Sequence, residues 1–245
     1  MPAPVSPYHA PGFYADALRK GRHRDIVGGR WEETGRAQMK LLLDAGLQPQ
    51  HRLLDIGCGS LRLGCKAVPY LDPGHYWGTD LSAALMHHGH QTELPDPARL
   101  SPDHLIADSD FNFPGVPPDI EYAIAFAVFI HLPLTHLHRA LTQIHACFPR
   151  LQNLLFTVFL APDATTMLNA LRQPDGVVTH ASRAPYHFLA EAVLDLTDAS
   201  GFDAEICTTR LPRGQILCTA SPRSQSVSNK SGHRFCRQTR AKTES

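Results

Sequence analysis

The chain has no long hydrophobic run: its longest apolar stretch, Tyr122–Ile130, covers nine residues, far short of the ~20 that a membrane-spanning helix requires. Paired cysteines are lacking too. The six cysteines (Cys58, Cys65, Cys147, Cys207, Cys218 and Cys236) are scattered, and none forms a CxxC pair or any other metal-ligand spacing. This excludes a disulfide scaffold or zinc module and predicts reduced thiols packed as small hydrophobes. The N-terminal MPAPVSPYHAPGFY has neither a basic stretch nor an apolar one of secretory type, so the expected location is cytoplasmic. Histidine is abundant, at fifteen residues. Yet the clusters His87, His88, His90 and His131, His136, His138, His145 contain no pair spaced i, i+4 on one helical face, and no metal is expected.

Net charge is absent as well, with 23 basic and 23 acidic residues, but the balance is uneven along the chain. Residues 221–245 hold six basic residues against one acidic, which leaves 17 basic and 22 acidic residues in 1–220. A mildly acidic body lacks the clustered cations that phosphate contacts demand, so nucleic acid is not an expected partner. The Ser-rich basic tail reads as disordered.

What is present is an alternation of strand-like and helix-like segments. After a Pro/Gly-broken arm (1–30) with Phe13, Tyr14 and Trp31 as lid candidates, the run RWEETGRAQMKLLLDAG predicts a helix, with Met39, Leu42 and Leu43 on one face and Gly46 as its stop. Strands are predicted at 51–56, 75–80, 104–108, 121–129 and 153–160. Helices are predicted at about 60–70, from Ser82 as N-cap, at about 133–148 and at about 186–200. Two closing strands follow, FDAEICTT and GQILCTA, joined by LPRGQ. The implied fold class is α/β: a doubly wound, Rossmann-like, mostly parallel seven-stranded sheet with helices on both faces and an antiparallel C-terminal edge strand. The expected organisation is an arm (1–30), one domain (31–220) and a tail (221–245). Ligands of such sheets bind beyond the carboxyl ends of the strands, where strand order reverses.

LLDIGCGSLRLG (53–64) is the informative stretch, because Gly57 and Gly59 between a strand and a helix allow a close backbone approach to a ligand. A dinucleotide fingerprint would need a third glycine at position 62, where Arg62 stands. Asp80, 23 residues after Gly57, ends the next strand and suits the two hydroxyls of a ribose. Asp108 ends the third, with Asp110 as its competitor for a ligand role; DSDFNFPG is also good turn chemistry. For Arg62 the alternatives are a solvated helix position and an ion pair with a ligand carboxylate. His131, just after the fourth strand, is a candidate general base, or a ring that only bonds a backbone carbonyl.

Taken together, LLDIGCGS, GTD, IADSDF and IEYAIAFAVFIHLP, in that order, resemble the four cofactor motifs of class I S-adenosylmethionine-dependent methyltransferases, over roughly residues 31–220. The runs RWEETGRAQMKLLLDAGLQPQHRLLDIGCGSLRLG and FAVFIHLPLTHLHRAL further resemble a bacterial subgroup acting on small molecules or sugars. The resemblance implies S-adenosylmethionine as cofactor, held by Asp55, Gly57, Cys58, Gly59, Arg62, Asp80, Leu81, Asp108, Ser109 and Phe126. It also implies a hydroxyl or amine of a small-molecule acceptor as the methylated group. Leu61 departs from the family's usual further glycine, and AFAVF offers no polar group where many members carry one. Two other readings stay open: a methyltransferase-like module that binds the cofactor without turnover, and a nicotinamide-dependent oxidoreductase, which Arg62 disfavours. The run NPPY of amino-methylating nucleic-acid enzymes is absent.

Overall fold

A computed structural model describes residues 6, 8, 10, 12–223 and 235–236. Its elements in chain order begin with α1 (Phe13–Arg19), α2 (His23–Ile26), α3 (Trp31–Asp44), β1 (Leu53–Ile56), α4 (Gly64–Tyr70), β2 (Tyr76–Asp80), α5 (Ala83–Thr92), β3 (Leu105–Ala107) and β4 (Tyr122–Ala125). They continue with α6 (Leu134–Cys147), β5 (Asn153–Val158), a small hairpin of β6 (Leu171–Arg172) and β7 (Val178–Thr179), α7 (Ala190–Ala199), β8 (Phe202–Arg210), β9 (Ile216–Pro222) and β10 (Phe235–Cys236).

The main sheet has the order β10-β8-β9-β5-β4-β1-β2-β3. Strands β1 to β5 run parallel, and β9 pairs antiparallel with both β5 and β8. The expected seven-stranded, mostly parallel sheet is therefore present as β1–β5, β8 and β9, with two-residue β10 added beside β8. The closing pair β8–β9 lies on the expected side of the sheet, and its antiparallel member sits one place in. Order reverses between β1 and β4, so their carboxyl ends flank a crevice.

The pleat of β1 shows how the two faces are filled. Leu53 joins the core with Leu42, Leu61, Met86 and Tyr122 beneath α3, α4 and α5. Leu54 and Ile56 point the other way, into a core with Phe129, Leu137, Leu141 and Val193 under α6 and α7. All four β1 residues are buried, as a central parallel strand covered by helices on both faces requires.

Several boundaries differ from expectation for local reasons. The run 121–129 is a strand only to Ala125, because Ala127 adopts φ 61° and the chain turns into a 3-10 segment, Phe129–His131. Phe126 and Phe129 stay buried outside the strand, which is why hydrophobicity alone extended it. The helix expected near 60 starts at Gly64, since Leu61 lies at φ 65°. The helix expected near 186 starts at Ala190, because Tyr186 and Phe188 make bridges with His180 and Leu160. Leu43 is 43% exposed while Leu42 is buried; the inward line of α3 runs Trp31, Thr34, Gln38, Leu42 and includes two polar residues. Ser82 caps α5 as expected, its hydroxyl accepting from the Leu85 amide at 3.2 Å. The tail expectation lies largely outside the described residues, but β9 reaches Pro222 and Arg223 pairs with Asp203 at 3.3 Å. Cys58, Cys65, Cys147, Cys207 and Cys218 are free thiols, and no described helix is long and apolar enough to cross a membrane.

Candidate active site

A cavity of about 630 Å³ opens at the carboxyl ends of β1, β2 and β4, within the range of small-molecule sites. Gly57, Cys58, Gly59, Arg62, Asp80, Leu81, Asp108, Ser109, Phe126 and His131 all line it. Asp55 does not, and here the sequence expectation is corrected. Position 55 shares the pleat face of Leu53, so its side chain enters the core below the glycine turn, where it is 2% exposed and accepts from the Tyr76 hydroxyl at 2.7 Å. Burial raises its carboxyl to about 7.

The glycine turn is closed from two sides. A Cβ on Gly57 (φ 71°) would sit 2.5 Å from Val128 Cγ2, and one on Gly59 (φ 55°) would sit 2.6 Å from Val27 Cγ1. Both positions need the left-handed backbone and the missing side chain at once. The amides of Gly57 and Cys58 donate to the Thr79 carbonyl at 2.7 and 3.0 Å. The Gly59 amide donates to Asp80 Oδ2 at 2.9 Å. The donors that a phosphate-binding turn would present to an anion are spent on β2.

Asp80 is held by two backbone amides, Gly59 on Oδ2 and Ser82 on Oδ1 at 3.1 Å. Burial nonetheless raises its pKa, against the lowering effect of those amides. Its remaining lone pairs are available to hydroxyl donors in the cavity. Asp108 is fixed similarly, accepting from the amides of Asp110 at 3.0 Å and Phe113 at 2.8 Å. Asp110 is exposed and is absent from the lining, whereas Asp108 lines the cavity.

Arg62 is not a solvated helix residue. At 7% exposure it donates to the carbonyl of Val27 at 2.7 Å, that of Gly29 at 3.4 Å and Gln38 Oε1 at 3.2 Å. Burial lowers its pKa to about 10, so it stays cationic at neutral pH. His131 faces the cavity from the turn after β4, and burial lowers its pKa to about 4, leaving it neutral and only weakly basic. The Tyr8 hydroxyl lies 3.5 Å from its Nε2.

Sequence reasoning missed much of the far wall and the roof. Tyr8, Val27 to Gly29, Gln38, Phe159, Arg213 and Gln215 all line the cavity. Of the three lid candidates only Tyr14 does so; Phe13 packs against Tyr8 at 5.2 Å, and Trp31 lies under Arg24 at 5.0 Å. The pair Gly28–Gly29, both at positive φ, was the available signal for a strap that must turn sharply. LPRGQ does shape the turn before β9, and it also delivers Arg213 and Gln215 to the cavity.

Leu61 stands at φ 65° where the family's motif has glycine, and it is fully buried. The strain costs about 1–2 kcal/mol, against about 2–5 kcal/mol for emptying a buried leucine site. Leu61→Gly is therefore expected to lower stability by about 1–3 kcal/mol, read from chemical denaturation.

The arm is latched to the body beside this strap. Arg24 Nε and Nη2 donate to the two carboxylate oxygens of Glu93 at 2.8 and 2.7 Å, His23 Nε2 lies 2.5 Å from Glu93 Oε1, and His88 Nε2 lies 3.2 Å from His23 Nδ1. Burial raises the Glu93 pKa, but the bonds from Arg24 and His23 outweigh it and leave a net lowering. Burial and the neighbouring His23 lower that of His88. Both groups have folded pKa values below their ordinary ones, so each contributes stability above the ordinary value and loses it as pH falls. Acidification below about 6.5 is expected to loosen the arm before the body unfolds. Trp31 fluorescence in a Trp77→Phe background checks this, with Glu93→Gln showing the loosened signal already at neutral pH.

No protein-family model matches the chain. Solved structures do. A 1,6-didemethyltoxoflavin-N1-methyltransferase from Burkholderia thailandensis, with 1,6-didemethyltoxoflavin and S-adenosylhomocysteine bound, aligns at TM-score 0.57 and 21% identity over 89% of this chain and 93% of that one. A TehB-like S-adenosylmethionine-dependent methyltransferase from Corynebacterium glutamicum aligns at 0.57 and 16% over 87% and 100%. A sugar N-methyltransferase from Streptoalloteichus sp. aligns at 0.56 and 17% over 86% and 93%. The chain has the Rossmann-like fold of the class I S-adenosylmethionine-dependent methyltransferases.

Proposed function

We propose that the protein binds S-adenosylmethionine and transfers its methyl group to a hydroxyl or amine of a small-molecule or sugar acceptor. The observation that carries this reading is the pairing of Asp80 with the glycine turn. The carboxylate ends β2 inside the cavity, steadied by Gly59 and Ser82, and the amides of Gly57, Cys58 and Gly59 are already bonded to β2. A ribose diol finds an acceptor there, whereas a pyrophosphate would find the amides of Gly57, Cys58 and Gly59 already taken, which argues against the nicotinamide reading. The neighbours' fold and the S-adenosylhomocysteine held by one of them support the same cofactor.

In this reading Asp80 and Leu81 hold the ribose, Asp108 and Ser109 the adenine, Cys58 and Phe126 flank the nucleoside, and Arg62 receives the amino-acid carboxylate. When bound, the sulfonium supplies the electrophilic methyl. The chain supplies alignment, exclusion of water by the strap and by Tyr8 and Tyr14, and a neutral imidazole at His131 that can accept a hydrogen bond from the acceptor. Alignment contributes most, since positioned reactants gain several kcal/mol, of order 7–11 at best, from orientation alone.

A second reading, binding without turnover, is favoured by the apolar turn 125–130, in which the Ala127 amide is bonded to Thr157 Oγ1 at 2.8 Å and no polar side chain precedes His131. Calorimetric titration with S-adenosylhomocysteine and with reduced nicotinamide dinucleotide tests the cofactor. Binding of the first and not the second is the expected result, and the reverse would overturn it. Release of S-adenosylhomocysteine from S-adenosylmethionine in the presence of an acceptor panel separates turnover from binding alone.

A further inference from the structure

We infer that the part of the cavity beyond His131 is a subsite for a small ring-bearing acceptor that carries a carboxylate, and that Arg213 receives this group. The inference rests on the cofactor assignment above. Ile130, Phe159, Pro185 and Pro212 are among the residues that line the cavity, and Tyr8 stands beside His131, its ring edge-on at a centroid distance of 4.8 Å. Such a lining is apolar and stiff, which suits a flat ring better than a flexible chain.

Charge supplies the second half of the argument. Arg62 and Arg213 are the lysine or arginine side chains that line the cavity. Neither has a carboxylate within ion-pair distance among the described residues. The cavity's own acids are engaged elsewhere: Asp80 and Asp108 take backbone amides, and Asp25 takes Arg22 at 3.0 Å. Arg62 is buried on three protein acceptors beside the glycine turn. Arg213 arrives from the β8–β9 turn, and its Nη2 donates to the Gly28 carbonyl, between the Val27 and Gly29 carbonyls that hold Arg62. A guanidinium facing a partly enclosed, largely apolar space without a side-chain counter-ion is a ready partner for an anion, and a planar carboxylate matches its paired donors.

The backbone points the same way. Arg213 is held at φ 66°, a conformation that costs a non-glycine residue of order 1 kcal/mol, with its amide fixed on Asp175 Oδ2 at 2.9 Å. A strained, anchored arginine at a cavity wall marks a position whose side chain is used.

The test titrates S-adenosylhomocysteine-saturated protein with matched pairs: 4-hydroxybenzoate against 4-hydroxybenzamide, and 2-naphthoate against 2-naphthamide. The carboxylates are expected to bind at least about tenfold tighter than their amides, a difference of about 1.4 kcal/mol. Arg213→Gln is expected to remove that preference while leaving S-adenosylhomocysteine affinity within about twofold. The inference is overturned if no probe binds, if the preference is absent, or if it survives in Arg213→Gln. A tenfold loss of S-adenosylhomocysteine affinity in Arg213→Gln also overturns it, by moving Arg213 to the cofactor's carboxylate. Wild-type protein that binds no S-adenosylhomocysteine is a different result: it removes the cofactor assignment, and this inference falls with it.

Discussion

Replacing Asp80 by alanine is expected to weaken S-adenosylhomocysteine binding about 100-fold or more, a loss near 3 kcal/mol. Two hydroxyl donors on a shielded carboxylate are each worth about 1.5–3 kcal/mol. The same carboxylate accepts the amides of Gly59 and Ser82, so the alanine variant also frees the turn that shapes the site. Asp80→Asn keeps an acceptor oxygen and the side-chain shape, and is expected to retain intermediate affinity. Circular dichroism and thermal denaturation, run beside calorimetry, separate loss of the ligand contact from loss of fold. An unchanged dissociation constant in Asp80→Ala would sink the ribose assignment. The pH dependence carries a second signature. Burial raises the Asp80 pKa, and only the ionised form accepts both hydroxyls. Affinity is therefore expected to fall on acidification at a pH above the ordinary carboxylate range, and Asp80→Asn is expected to abolish that dependence.

The second large effect is expected at Gly89, where helix propensity and tertiary packing disagree in sign. Alanine in place of a helical glycine ordinarily stabilises by about 1 kcal/mol. A Cβ at Gly89 would lie 2.3 Å from the Ser60 carbonyl oxygen, 2.5 Å from its carbonyl carbon and 2.8 Å from its Cα. All three are backbone atoms of the loop that continues the glycine turn, so neither side can rotate away. Relief requires α5 to move off the loop by roughly 1 Å, an overpacking that costs about 1–3 kcal/mol and more against rigid backbone. Gly89→Ala is expected to destabilise by about 2–4 kcal/mol net, seen as a drop in Tm of about 5–15 °C. Helix α5 also carries the Ser82 cap and Leu85, which lines the cavity, so cofactor affinity is expected to fall in the same variant. A more stable Gly89→Ala would show that α5 and the Ser60 loop separate easily and do not hold the site together.

The sequence by itself determined the sheet and the glycine-turn side of the cavity. Those features are written in local chemistry: buried runs such as LLDI and YAIA, a Ser82 cap, and glycines spaced between a strand and a helix. Each depends on residues within a few positions of one another. Only the tertiary structure decided the rest, because it turns on which distant segments meet. The pleat sent Asp55 into the core against Tyr76, two strands' worth of chain away, although it stands inside the motif. Leu61 keeps the backbone conformation of an absent glycine because burial of its side chain outweighs the strain. Arg62 became a buried anchor because the strap Val27–Gly29 brought it carbonyl partners from 33 and 35 positions earlier. Tyr8 and Arg213 carry no motif at all. They reach one cavity because the arm folds back over β4 and the β8–β9 turn closes beside it, and contacts of that range are set by packing and by the closing of long loops, neither of which leaves a periodicity in the chain.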